Sequence, residues 1–503
     1  MSNKGGKAIN SGGFGCIFKP PLKCTNSTPP DNYISKLMTK EDAIEEFENI
    51  KQFENMLNKI PNYGEYFLVK NVSLCTPAKL TKDDLKDFDK ICMNLDNNVY
   101  TKNNINDKLS TLGIINIPDA GVDLKQFIMQ QNFSPTNFKY INNLLIDLLK
   151  NAIVPMNKLG IYHNDIKPTN IMIDKNTDSI KLIDYGISSI YEKGVVPRSL
   201  MNKSIHFNFP YSTIMFNNGF ISMFNEYVNS NPEILSGSKE TERKLKTMIL
   251  EYYYNYLHTV FVGHHFLVVE EFFILNYVNW SNQLDQFQEG MKKNIIVYYE
   301  FLNVFSQYLY DILIKFTVSE GGRYTFNVKG YYDTIYRHNC DIWGLLMSYI
   351  SIISTIKLNV IDDYVDLINA INKIIYSYLY ETPTTKIDVD KLINSLKELN
   401  STLPDKTPNT SNNQGKSKKT SNTRKATETK KITLKRTTNN TGKKTLTVTK
   451  LPTSRTKPKK RTRCKKGTRF NQDIRQCVPN SDFPTLTSTT DMTDDQIKSI
   501  LGF

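Results

Sequence analysis

The run His163-Asn164-Asp165-Ile166-Lys167-Pro168-Thr169-Asn170, continued by Ile171-Met172-Ile173, decides how the rest of the chain is read. A short polar loop carries Asp, Lys and Asn and then enters an apolar, β-prone segment. About ten residues later a second apolar run, Ile180 to Ile183, ends in Asp184-Tyr185-Gly186. The pattern predicts a hairpin with an acidic residue at each mouth. One Asp can accept a proton from an attacking hydroxyl. The Lys can neutralise a phosphoryl group in transfer. The Asn and the second Asp are hard oxygen ligands of the kind magnesium prefers when phosphates complete its shell. Read more plainly, the same residues form a polar turn between two strands.

The loop together with Asp184-Tyr185-Gly186 resembles the catalytic loop and metal motif of the protein kinase superfamily, with Tyr185 where Phe is usual. The resemblance implies that Asp165 receives the acceptor's proton. It implies further that Lys167 stabilises the transferring phosphoryl group and that Asn170 and Asp184 hold the metal. Lys167 implies serine or threonine as acceptor. Asn164 stands where the family usually has Arg, the residue that grips a phosphorylated activation loop. Asn cannot make that grip, so whether loop phosphorylation regulates the chain stays open.

Upstream, Ile9-Asn10-Ser11-Gly12-Gly13-Phe14-Gly15-Cys16-Ile17 is a Gly-rich turn between short β-prone segments, resembling the kinase loop that covers ATP phosphates. Tyr33 to Met38 reads as a strand, and the resemblance makes its Lys36 the phosphate-orienting lysine. Read alone, Lys36 is a solvated edge residue. Thr39 to Ile60 reads as a helix capped by Thr39, with Ile44, Phe47, Ile50, Phe53 and Leu57 at helical spacing. Glu46, beside that stripe, is chosen over Glu45 and Glu48 as the partner of Lys36. Phe67 to Leu74 and Leu112 to Ile117 read as strands. The second runs into Pro118-Asp119-Ala120-Gly121, an expected hinge between lobes. Pro118 has no N–H, so an adenine donor falls to Ile117, Asp119 or Ala120. Asp123 is either a ribose contact or a helix cap. Phe138 to Leu159 reads as the helix leading into the catalytic loop.

After Gly186, Ile187 to about Pro210 is a candidate activation segment, with Ser188, Ser189, Tyr191, Ser199 and Ser204 as possible phosphosites. Where an Ala-Pro-Glu signature is expected, the chain reads Asn208-Phe209-Pro210-Tyr211-Ser212. Asn339-Cys340-Asp341-Ile342-Trp343-Gly344 resembles the start of a later kinase helix, whose Asp would tie down the catalytic loop. The 157 positions from Asp184 to Asp341 are far more than the family uses. They read as a mostly helical insertion, with an apolar helix around Phe261 to Val278, and three more helices follow to Asn400. This layout resembles the protein kinases of large nucleocytoplasmic DNA viruses.

The chain has 503 residues, 39% of them hydrophobic, enough for a sizeable core. Its net charge of +14 is local: residues 406–469 hold 22 Lys and Arg against one acidic residue, leaving 42 basic and 49 acidic elsewhere. Residues 401–466 are too polar to fold alone. They read either as a solvated linker or as an electrostatic tether for nucleic acid, an acidic partner or a membrane surface. Cys464 and Cys477 flank a short basic module. Seven scattered cysteines without metal spacing point to free thiols and a reduced intracellular setting. Neither a leader nor a membrane span is expected, and host cytoplasm or virion would be the location if the chain is viral.

The expectation is thus an α+β, two-lobed kinase-like fold. Residues 1–118 form a β-rich N-lobe and 119–400 a helical C-lobe with an insertion at about 211–335. Residues 401–503 form a disordered basic tail with a module at 463–478. The implied function is a serine/threonine-protein kinase using ATP and Mg²⁺ (or Mn²⁺) on protein substrates, with oligomeric state open. A pseudokinase scaffold and a small-molecule kinase are the alternatives.

Overall fold

The computed structural model describes residues 6–403 apart from 12–14, 94, 96–98, 132, 202, 204–205, 261–289 and 360–363, and four short strands between 435 and 479. The chain divides into two units, Met1–Asp405 and Lys406–Phe503. In the second unit the described elements are two antiparallel hairpins, Lys435–Thr438 with Lys444–Thr447 and Thr468–Asn471 with Gln476–Pro479.

The first unit opens with five antiparallel strands: β1 (Lys7–Ser11), β2 (Gly15–Lys19), β3 (Tyr33–Thr39), β4 (Ser73–Cys75) and β5 (Leu112–Pro118). Their order across the sheet is β1-β2-β3-β5-β4. Side chains alternate across a strand, and that alternation sorts this sheet. Cys16, Phe18, Leu37 and Ile114 point into a core shared with Phe88, Leu95 and Ile105. Ile17, Lys36 and Ile115 lie in register on the opposite face, where α1 packs. Gly15 is needed for space, since a Cβ there would come within 2.7 Å of Met38 Cγ and 2.8 Å of the Leu37 carbonyl oxygen.

Helix α1 spans Lys40–Leu57. Thr39 Oγ1 accepts from the Asp42 N–H at 3.2 Å and donates to its carboxylate at 2.8 Å. Glu41 and Asp42 complement the positive end of the helix. The buried stripe is Ala43, Ile50, Phe53 and Leu57. Ile44, expected in that stripe, is 38% exposed, and the smaller Ala43 takes the close contact with β5 at Gly113. Instead of one strand from Phe67 to Leu74, only Ser73–Cys75 joins the sheet. Phe67 instead bridges to Leu182 in the lower part of the domain.

Two disulfides fasten the upper region, Cys16–Cys92 and Cys24–Cys75. This corrects the expectation of scattered free thiols: the spacings are 76 and 51 residues, and the sheet brings the partners together. The argument for a reduced setting loses its footing with them. Cys340 is a free, buried thiol.

Below the hinge, the helix Pro135–Leu148 is capped by Ser134 and continues through a π-turn, Leu149–Ile153, into Val154–Lys158. It delivers the chain to β7 (Ile161–Tyr162) and the loop at Asp165. The small sheet β6-β8-β9 (Val122–Asp123, Ile171–Asp174, Ser179–Leu182) contains the expected hairpin, with Ile171 opposite Leu182 and Ile173 opposite Ile180.

The long interval before Asp341 holds the 3₁₀ turn Tyr211–Phe216 and helices Asn218–Ser230, Lys239–Val260 and Gly290–Phe316. A hairpin follows, Thr317–Glu320 with Arg323–Phe326. The helix expected around Phe261 to Val278 lies outside the described residues. The interval is joined to the helix Arg337–Met347 by packed aromatics. Tyr211 meets Trp343 at 5.2 Å and Phe305 at 5.5 Å, and stacks on Tyr380 at 5.4 Å. Three further helices, Ile350–Asn359, Val365–Ile375 and Val389–Glu398, complete the unit. Among the described residues the one helix long and apolar enough to cross a membrane, Val328–Ile356, is mostly buried within the fold.

Candidate active site

The loop after β7 is held from beneath. Asp341, fully buried, accepts from the His163 N–H at 3.0 Å and the Asn164 N–H at 2.8 Å. Burial pushes its carboxyl group up, and those two donors oppose the shift. The helix approaches so closely that a Cβ on Gly344 would lie 2.9 Å from Ile166 Cβ and nearer still to the Ile166 carbonyl oxygen. His163 accepts the Asp165 N–H at Nδ1, 3.3 Å away, which leaves the proton on Nε2 facing the Ile183 carbonyl at 3.0 Å. One imidazole thus ties the loop to the strand leading into Asp184.

The Asp165 carboxylate receives three polar side chains. Its Oδ2 accepts from Lys167 Nζ at 2.7 Å and Asn170 Nδ2 at 3.0 Å, and Asn170 Nδ2 also reaches the Asp165 carbonyl at 2.9 Å. Oδ1 accepts from Asn208 Nδ2 at 3.0 Å. Asn208 was not among the expected site residues. Its place in the altered 208–212 stretch was the only hint, because nothing in local spacing links it to Asp165. Lys203 was missed for the same reason. It lies over the Phe209 ring at 5.6 Å; desolvation lowers its pKa, and the charges of Asp165 and Asp184 counter that.

Asn164 and Asp184 both adopt left-handed backbone, with φ of +57° and +69°. Such conformations cost non-glycine residues ~1–3 kcal/mol and concentrate where geometry serves chemistry. Tyr185 fills the space behind Asp184, its ring 5.4 Å from Phe53 of α1 and 5.2 Å from His163.

In the sheet above, Lys36 Nζ contacts both oxygens of Glu46, at 2.7 and 2.6 Å. The pairing with Glu46 rather than Glu45 or Glu48 is the one expected. Ile9, Asn10 and Ser11 lie on β1, and Gly15, Cys16 and Ile17 on β2. Gly12, Gly13 and Phe14 lie outside the described residues. Cys16 faces the disulfide side of the sheet. At the hinge, the Asp119 N–H donates to the Asn32 carbonyl at 2.9 Å, and its carboxylate pairs with Lys19. That N–H is therefore engaged within the chain. Ala120 is buried beside it. Asp123 caps the helix Leu124–Gln130 through the Gln126 N–H at 2.8 Å.

Asn164 takes an uncharged bracing role. Its Nδ2 donates to Ser189 Oγ at 2.8 Å and the Ile187 carbonyl at 3.3 Å. Of the candidate phosphosites, Ser188 donates to the His163 carbonyl, Ser199 donates to the Ile187 carbonyl and Tyr191 stacks under Arg337 at 4.0 Å. Ser204 lies outside the described residues.

The residues present suit a phosphate-bound divalent metal. Asn170 turns its amide N–H toward Asp165, leaving its Oδ1 as an acceptor, and among the described residues Asp184 receives a long 3.4 Å contact from the Gly186 N–H. Among the described residues no group of three or more His, Cys, Asp or Glu forms a metal cage. An amide and a carboxylate alone therefore need phosphate or water oxygens to complete a shell.

The sequence of this region has relatives. Residues 6–208 match the family model of the protein kinase domain. That match supports a likeness to the protein kinase superfamily. Homeodomain-interacting protein kinase 2 of Mesocricetus auratus is 33% identical over 84 residues, 16% of this chain and 7% of that protein. Serine/threonine-protein kinase CHK1 of Saccharomyces cerevisiae is 35% identical over 78 residues, 15% of this chain and 12% of that protein. Probable serine/threonine-protein kinase fnkB of Dictyostelium discoideum is 31% identical over 68 residues, 14% and 12% of the two chains. The kinase-like chain thus spans a small part of each relative's length, and these relatives do not bear on the viral resemblance.

Proposed function

We propose that this protein is a serine/threonine-protein kinase that transfers the γ-phosphoryl group of ATP to a protein hydroxyl. The observation that carries the reading is the convergence of Lys167, Asn170 and Asn208 on the Asp165 carboxylate. Asp165 orients the acceptor O–H and takes its proton as the new O–P bond forms and the bond to ADP breaks. Lys167 lies where it can follow the charge that develops on the transferred group. Asn170 and Asp184 would hold Mg²⁺ or Mn²⁺, which neutralises phosphate charge when bound. Lys36, fixed by Glu46, orients the α- and β-phosphates beside β1 and β2, with adenine at the hinge near Ala120. Serine or threonine specificity rests on Lys167 and on the names of the relatives. The basic tail is proposed as an electrostatic tether for an acidic partner or nucleic acid.

A phosphotransfer assay of the full chain with labelled ATP, Mg²⁺ and casein or histone as acceptor tests the reading. Incorporation by wild type and only background by Asp184→Ala is expected. Equal background from both refutes it.

A further inference from the structure

We infer that Asn208 is a positioning residue for Asp165, fixing the carboxylate from the side that Lys167 and Asn170 leave open; this rests on the kinase reading above. Asn208 is 2% exposed, and its Nδ2 donates to Asp165 Oδ1 at 3.0 Å. The other oxygen, Oδ2, is already committed to Lys167 and Asn170. Without Asn208 the carboxylate would be pinned at one oxygen and free to rotate about its Cβ–Cγ bond. With it, both oxygens are fixed and the remaining lone pairs point in set directions.

Asn208 is itself preorganised from both sides. The preceding carbonyl, on Phe207, accepts from Trp343 Nε1 at 3.0 Å. Beyond Pro210, whose ring stiffens the backbone, Tyr211 is clamped between Trp343 and Tyr380. Trp343 lies two residues from Asp341, which holds the loop carrying Asp165. The catalytic carboxylate is therefore supported from below and from the side by one rigid helix, the arrangement a precise site requires. Asn208 Oδ1 is buried and has no partner among the described residues. Packing alone gives no reason to bury an amide there, whereas donation to Asp165 does.

The test uses the full chain with casein and histone as acceptors and compares wild type, Asn208→Leu, Asn208→Ser and Asp165→Ala. Leu has Asn's approximate shape but no donor; Ser is smaller but keeps one. The expected result is a fall in kcat of at least about tenfold for Asn208→Leu, as loss of a hydrogen bond to a charged group implies. KM for ATP should stay within about twofold, and Asn208→Ser should recover part of kcat. Wild-type kcat in Asn208→Leu, or a Ser variant slower than Leu as cavity formation alone would give, overturns the proposal. Both readouts require folded protein, checked by melting temperature. If wild type itself matches Asp165→Ala, the kinase reading fails first, and Asn208 with it.

Discussion

The Asp341 carboxylate accepts the Asn164 N–H across 177 residues of chain and, with its other oxygen, the neighbouring His163 N–H. A fully buried acid with two backbone donors fixes the loop's conformation. Asp341→Asn keeps the shape but offers one acceptor where two are needed. Stability should fall by ~1–3 kcal/mol, the cost of a buried donor left unmade. Calorimetry of the full chain checks the stability change. A parallel loss of kcat in the phosphotransfer assay would show that Asp165 is displaced.

The Lys36–Glu46 pair lies partly open to solvent, at 17% and 27% side-chain exposure, so its value for global stability is small. Its weight should fall on the nucleotide. Glu46→Gln is expected to lower kcat/KM for ATP by about ten- to a hundredfold with little change in melting temperature. In a double-mutant cycle with Lys36→Met the two effects should be strongly non-additive. Additive losses would mean the two side chains act separately.

The contact between Gly344 and Ile166 allows no extra atom. Gly344→Ala should push the helix off the loop and cost ~1–3 kcal/mol. Chemical denaturation with an unchanged m-value would identify this as a native-state effect.

Burial, with the charges of Arg337 and Lys386 adding to it, pushes the His338 imidazole down to about 4 from 6.5. Its Nε2 is buried without a partner among the described residues. Between those values the unfolded chain binds a proton that the folded one refuses. The His338 contribution is therefore intact above pH 6.5 and is lost as pH falls toward about 4. Melting temperatures of His338→Gln should decline less steeply than wild type over that window.

What could be read from residues alone divides along a physical line. The β8–β9 hairpin and the Thr39 cap follow from local spacing, whereas the loop at Asp165 and the Lys36–Glu46 pairing follow from the kinase resemblance, with a one-turn choice among glutamates on the helix. Asn208 and the two disulfides depend on chain segments brought together from 43, 51 and 76 residues apart, and periodicity carries no trace of such meetings. Ile44 was misplaced because an apolar stripe fixes a helix face only to within about one residue. The close approach at Gly113 then decided for Ala43.

Tyr185 joins two bodies that the sequence keeps far apart. Its ring leans on Phe53 of the upper helix and on His163 of the lower loop, one residue after Asp184. Any ligand or partner that draws α1 away must strip one wall from that ring and, in the same motion, separate Glu46 from Lys36. The Phe53–Tyr185 contact and the Lys36–Glu46 pair thus both depend on where α1 sits, so a shift of that helix would loosen the two together.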